Sequence, residues 1–113
     1  EALELAKKYW PGPLSILVPR KETLPEYLNK GHEFVSIRVS GLEFCRNMVM
    51  KFGQPVTTTS ANVAGENELY EPEVMPGLDL IVDGGRIAEN KPSTVIKVDG
   101  DKVEVLREGD LVI

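Results

Sequence analysis

The groups in this chain best suited to chemistry are two arginines and a cluster of hydroxyls. Arg38 interrupts the alternating segment "FVSIRVS". Strand side chains alternate, so Val35, Ile37 and Val39 share one face while Phe34, Ser36, Arg38 and Ser40 share the other. A guanidinium there can grip a carboxylate or phosphate through two parallel hydrogen bonds, or it can be an ordinary arginine on an open sheet face. The run "VTTTSANVAGEN", Val56 to Asn67, is the second candidate. Thr58 and Ser60 fall on one face of an expected strand, with Ser60 and Asn62 at its exit. Hydroxyl, amide and freed backbone N–H groups can converge there on an anion, or simply cap the strand as a Ser or Asx turn. Ser93 and Arg107 form the third candidate. They open and close the two arms of an expected hairpin around Asp99-Gly100, which brings them within about a residue of each other. Arg107 then either faces a ligand at a strand end or pairs on the rim with Glu104 or Glu108.

Other reactive side chains have plainer readings. His32 is the one histidine of the chain and sits in a charged stretch with no Ser or Cys partner. Cys45, the sole cysteine, falls in "LEFCRNMVM" and reads as a buried helix-face thiol, with no internal disulfide open to it. The acidic run "ENELYEPEVMPGLD" lacks calcium-loop spacing. No residue stands out as a metal ligand or as a catalytic acid, base or nucleophile. Walker-type, dinucleotide-type, C-x-x-C and H-E-x-x-H motifs are all missing from the sequence.

The elements that must carry these groups follow from periodicity and breakers. "EALELAKKY" places Ala2, Leu5, Ala6 and Tyr9 at helical spacing, and "WPGP" ends that helix, with Trp10 as a core anchor. "LSILVP" is expected as a short buried strand. A charged connection follows, with one helical turn over Pro25 to Leu28. The strand through Arg38 leads to a helix, "LEFCRNMVMKF", stopped by Gly53, with Leu42, Cys45, Val49 and Phe52 as its apolar stripe. Further strands are expected at Val56–Thr59, in "LDLIVDGG", and in "STVIKV" and "KVEVLREG" either side of the hairpin turn. The total is five or six strands with two or three helices, an α/β or α+β fold class.

Bulk properties narrow the function. The 113 residues suit one domain with a modest core. A net charge of -5 argues against tight non-specific nucleic-acid binding, although a locally positive pocket for one small anion stays open. No apolar run is long enough for a membrane helix and no signal peptide opens the chain, so a cytoplasmic location with no membrane partner is expected. The first residues begin inside a helical pattern without an initiator Met or a clear N-cap, as in a segment of a longer chain.

The order of "KYWPGPLSILV", "VSIRVSG", "PVTTTSANVAGE", "DLIVDGG", "KPSTVIKV" and "VLREGD" resembles the YrdC-like domain family. The match runs through almost the whole chain; the WPGP and S-A-N segments are specific in combination. The resemblance implies a single YrdC-like domain over residues 1–113 with its N-terminal part missing. Its fold would be a twisted mixed sheet with flanking helices around a large concave positive cavity, the YrdC/RibB-like arrangement. The implied activity is that of a threonylcarbamoyl-AMP synthase, a nucleotidyltransferase. L-threonine, bicarbonate and ATP, with Mg²⁺, give threonylcarbamoyl-AMP and pyrophosphate, and a tRNA-modifying transferase complex takes the product on to tRNA.

By the same resemblance Arg38, Thr58 and Ser93 correspond to L-threonine-binding positions. Ser60, Asn62 and Arg107 correspond to nucleotide-binding ones. Two arginines and the hydroxyls between them would then line a single hollow. The family's K-x-R phosphate clamp lies upstream and is absent here, so these residues alone are expected to be inactive. Phe34 stands where many members have threonine, and Glu68 where a small hydroxyl is usual. Those departures leave room for a YciO-type or hydrogenase-maturation carbamoyltransferase-type domain. A double-stranded RNA-binding module is the alternative from another class.

Overall fold

A computed structural model describes residues 1–61, 67, 69–73 and 75–113. Its elements run α1 (Ala2–Tyr9), β1 (Leu14–Pro19), β2 (Phe34–Ile37), α2 (Glu43–Phe52), β3 (Thr94–Asp99) and β4 (Lys102–Arg107). The chain divides into two compact units, one of Glu1–Gln54 with Lys91–Ile113 and one of Pro55–Asn90.

The first unit is built on a four-stranded mixed sheet of order β2-β1-β3-β4. The central pair, β1 and β3, is parallel, with Leu14 opposite Thr94 and Ile16 opposite Ile96. β2 and β4 flank it antiparallel. Alternation in the two central strands places Leu14, Ile16, Ile96 and Val98 on one face, and these four form the buried apolar core. α1 covers that face because Ala2, Leu5, Ala6 and Tyr9 recur at its inner stripe and pack on the core, with Trp10 and Leu111 beside them. Trp10 is the expected anchor: its indole N–H donates to Leu14 O at 2.7 Å while the ring packs on the core.

Between β1 and β2 the charged connection is folded back on Arg20, whose guanidinium donates to the carbonyls of Leu24, Pro25 and Leu28. The expected turn at Pro25 to Leu28 is present as a backbone bond from Leu28 N to Pro25 O of 3.0 Å. His32 is exposed in this loop.

The hairpin forms where Asp99-Gly100 points to it, but Asp99 itself closes the ladder against Lys102, so the two loop residues are Gly100 and Asp101. Gly100 takes φ +62°, a conformation available to glycine at little cost. Val98 therefore faces Val103. A bulge between Val95 and Ile96 changes the register, and Val95 meets Arg107.

Several expectations are corrected. Val56–Thr59 and "LDLIVDGG" are not strands, so the sheet has four strands among the described residues, not five or six. β-branched runs become strands only with a neighbouring ladder, and no described residue supplies one; Leu80, for example, is 80% exposed. The second strand is shorter than "FVSIRVS", ending at Ile37, and Ile37 and Val39 are exposed because α1 reaches the central strands and not this edge. Within α2, Cys45 is only half-buried, and Leu42 and Phe52 of the expected stripe are exposed. Its C-terminal stop is as expected, with Gly53 in the left-handed region at φ 85° and its N–H on Val49 O.

The second unit has no regular element among its described residues. Arg86 organises part of it, pairing with Glu71 at 3.4 Å and Glu89 at 3.1 Å. The glycine pair after "LIVD" forms a turn in which Gly85 N donates to Asp83 Oδ1 at 2.8 Å.

Candidate functional site

The sheet face opposite α1 gathers the polar residues of the first unit. Ser15 lies between Leu14 and Ile16 in β1 and so points away from the core. Ser93 and Val95 alternate in the same way with Thr94 and Ile96 of β3. Arg107 pairs with Val95, and Arg38 follows Ile37, whose partner is Ile16, so that it falls beside Ser15. Arg38, Ser15, Val95 and Arg107 thus make one row across four strands. Three inter-strand steps put its ends about 14 Å apart at the backbone. A ligand the size of an amino acid joined to a phosphate can bridge that span between two long side chains.

Both arginines are held by uncharged partners. Arg38 Nε donates to Gly12 O at 3.0 Å. The WPGP turn makes this contact possible, since Gly12 also donates its N–H to Val39 O at 2.9 Å and so ties itself to the residue after Arg38 as well. A Cβ on Gly12 would lie 2.7 Å from Tyr9 O, which explains why glycine occupies the turn. Arg107 donates from Nε and Nη2 to Ser93 O at 3.0 and 2.9 Å, and from Nη2 to Ser93 Oγ at 3.2 Å. The alternative rim pairing with Glu104 or Glu108 is not what the structure contains: the ion pairs among the described residues involve Arg86 alone. A guanidinium oriented by carbonyls keeps its positive charge uncompensated, the condition an anion site needs.

The close approach of Ser93 and Arg107 depends on the chain after β4. A Cβ on Gly109 would overlap Pro92 O and lie 2.8 Å from Thr94 N, so glycine alone lets this segment cross the start of β3. Thr94, 2% exposed, fastens the crossing by accepting from Gly109 N at 3.0 Å and donating to Leu111 O at 2.7 Å.

Two further residues share the open face and were not singled out in the sequence. Ser15 Oγ is 2.8 Å from Ser93 Oγ. Lys97 places Nζ 4.3 Å from the Phe34 ring centroid, a cation–π contact on the same side as the arginines. Alternation in "LSILVP" and "STVIKV" was the signal for both; reading the first as uniformly buried hid Ser15.

Of the other candidates, Thr58 and Ser60 belong to the second unit, where both are exposed and outside regular structure. Asn62 and Glu68 lie outside the described residues. No group of three His, Cys, Asp or Glu side chains among the described residues is placed to hold a metal. No described helix is long and apolar enough to cross a membrane.

Comparison with known proteins places the chain in a family. The family model Sua5/YciO/YrdC, described as "Telomere recombination", matches residues 1–109. The chain belongs to this family, and the mixed α/β fold is the one its members share. A provisionally named threonylcarbamoyl-AMP synthase of Methanocaldococcus jannaschii is 32% identical over 99% of this chain. The threonylcarbamoyl-AMP synthase of Pyrococcus abyssi is 31% identical over 98%. This chain spans 54% and 34% of the lengths of those two relatives. The crystal structure of P. abyssi Sua5 complexed with L-threonine superposes with a TM-score of 0.87 at 29% identity, covering 97% of this chain and 34% of that one.

Proposed function

We propose that this chain supplies one wall of the catalytic cavity of an L-threonylcarbamoyladenylate synthase acting in tRNA threonylcarbamoyladenosine modification. The observation that carries the reading is the row of Arg38, Ser15 and Arg107 across one sheet face, with Ser93 hydrogen-bonded to Ser15 and Arg107 and both arginines oriented by neutral groups. Its support from relatives is the name shared by the M. jannaschii and P. abyssi proteins and the L-threonine bound to P. abyssi Sua5.

Arg38 takes the L-threonine carboxylate, whose two oxygens match the donors that its bond to Gly12 leaves over. By the family resemblance Ser93 and Thr58 are assigned to the amino acid, and Arg107, Ser60 and Asn62 to the nucleotide. Bicarbonate carboxylates the threonine amine, the new C–N bond forming as water leaves; an oxygen of that carbamate attacks the α-phosphorus of ATP, and the bond to pyrophosphate breaks. Negative charge builds on the phosphoryl oxygens, and fixed guanidinium groups stabilise it more than they stabilise the ground state. Mg²⁺, bound together with ATP, would supply counter-charge to the phosphates. The product is passed to a tRNA-modifying transferase complex, in the cytoplasm where tRNA is matured.

The phosphate-gripping lysine and arginine that the family resemblance calls for are not among these residues, so the 113 residues by themselves are expected to be inactive. The test is pyrophosphate release by the full-length protein. It should require L-threonine, bicarbonate and ATP together, and Arg38→Ala should abolish its dependence on threonine. A second reading is favoured by Phe34, whose ring packs under Lys97 in place of the small hydroxyl residue of many relatives. In it the carbamoyl acceptor differs, as in YciO-type or hydrogenase-maturation domains. Isothermal titration separates the two, because absence of threonine-dependent heat with intact ATP binding selects the second.

A further inference from the structure

The two serine hydroxyls in the arginine row have a proton count that constrains the ligand. Ser15 Oγ and Ser93 Oγ, 2.8 Å apart, own two protons between them. One is used in their mutual bond. Arg107 can only donate, and its Nη2 gives Ser93 Oγ a further proton from 3.2 Å. One hydroxyl proton therefore leaves the pair with no acceptor inside this cluster. A group that completes the arrangement must offer a lone pair, as a carboxylate oxygen does. Of the two hydroxyls Ser93 is the one assigned to the amino acid above and the one that already accepts from Arg107, so its proton is the one left for the ligand.

We propose that Ser15 is a positioning residue for the substrate carboxylate. It donates its proton to Ser93 Oγ, which leaves the Ser93 proton directed at the ligand oxygen. With Arg107 and Ser15 filling both lone pairs, Ser93 has no other way to rotate, and its donor is oriented before the ligand arrives. Without Ser15 the hydroxyl is free to turn and must be ordered on binding. This rests on the L-threonine reading above.

The experiment is isothermal titration of the full-length protein with L-threonine. Ser15→Ala should weaken binding about 3- to 10-fold, as for one neutral hydrogen bond, with ATP affinity and melting temperature unchanged. Ser15→Thr, which restores the hydroxyl, should recover the affinity. In a Ser93→Ala background, Ser15→Ala should have no further effect, because Ser15 acts only through Ser93. Threonine affinity unchanged by Ser15→Ala overturns the inference and leaves the proposed function standing. So does an equal loss in both backgrounds, which marks a purely structural serine. If Ser15→Ala does not fold, Ser15→Cys, of similar volume with a weak donor, replaces it and must show the same loss. Absence of L-threonine binding by the unsubstituted protein, by contrast, removes the proposed function and this inference with it.

Discussion

Arg38 and Arg107 differ in how much of each guanidinium the protein itself occupies. Arg38 gives one nitrogen to Gly12 O, whereas Arg107 gives two to Ser93. Lysine retains the charge at either position but cannot reproduce a planar set of donors. Arg107→Lys should therefore release Ser93 as well as weaken the site. Titration with ATP is expected to show about 10- to 100-fold weaker binding, the size of one charge-assisted contact. Thr94 offers a test with no ligand. Thr94→Val keeps the shape but leaves Gly109 N–H and Leu111 C=O without the hydroxyl that serves both. It should destabilise the fold by about 1–3 kcal/mol, read as a lower urea midpoint at constant slope.

Among the elements, the decisive contacts are made where a strand meets its turn. The WPGP turn clasps the exit of β2, and the Gly109 crossing clasps the start of β3. Gly109→Ala should cost about 1–3 kcal/mol in a thermal melt, because the new methyl meets backbone that cannot swing aside. It should also abolish L-threonine binding well below the melting temperature, since Ser93 and Arg107 are parted. The sequence made much of this legible. Alternation placed Arg38 opposite Ile37 in facing, and the hairpin signal brought Arg107 to Ser93, even with the turn one residue out. Proline and glycine set the ends of α1 and α2. What it overstated were the segments whose strand-like composition has no partner, Val56–Thr59 and Leu78–Asp83. Residue types encode a preference for extended backbone, but the ladder that rewards it comes from elsewhere in the chain. The Ser15–Ser93 contact joins residues 78 positions apart and depends on parallel register, which local pattern does not specify.

For the molecule as a whole, charge and apolar surface point in different directions. The net charge of -5 opposes duplex RNA, and the arginine row is too local to release many counterions. A gel shift at about 0.15 M salt should show no tight complex with double-stranded RNA; a stable one would favour the RNA-binding alternative. By contrast, α2 leaves Phe44, Met48, Met50 and Phe52 exposed, more apolar surface than an isolated helix face needs. Sedimentation of these 113 residues should show self-association, and Phe44→Glu should reduce it. The central pairing has a different consequence. Leu14 and Thr94 are partners 80 positions apart, and the four core side chains come in equal number from those two distant strands. A nascent polypeptide leaving the ribosome has β1 in hand long before β3 exists to receive it. Pairing of these two strands must then be late and slow, with Leu14–Ile16 left open to chaperones until β3 emerges.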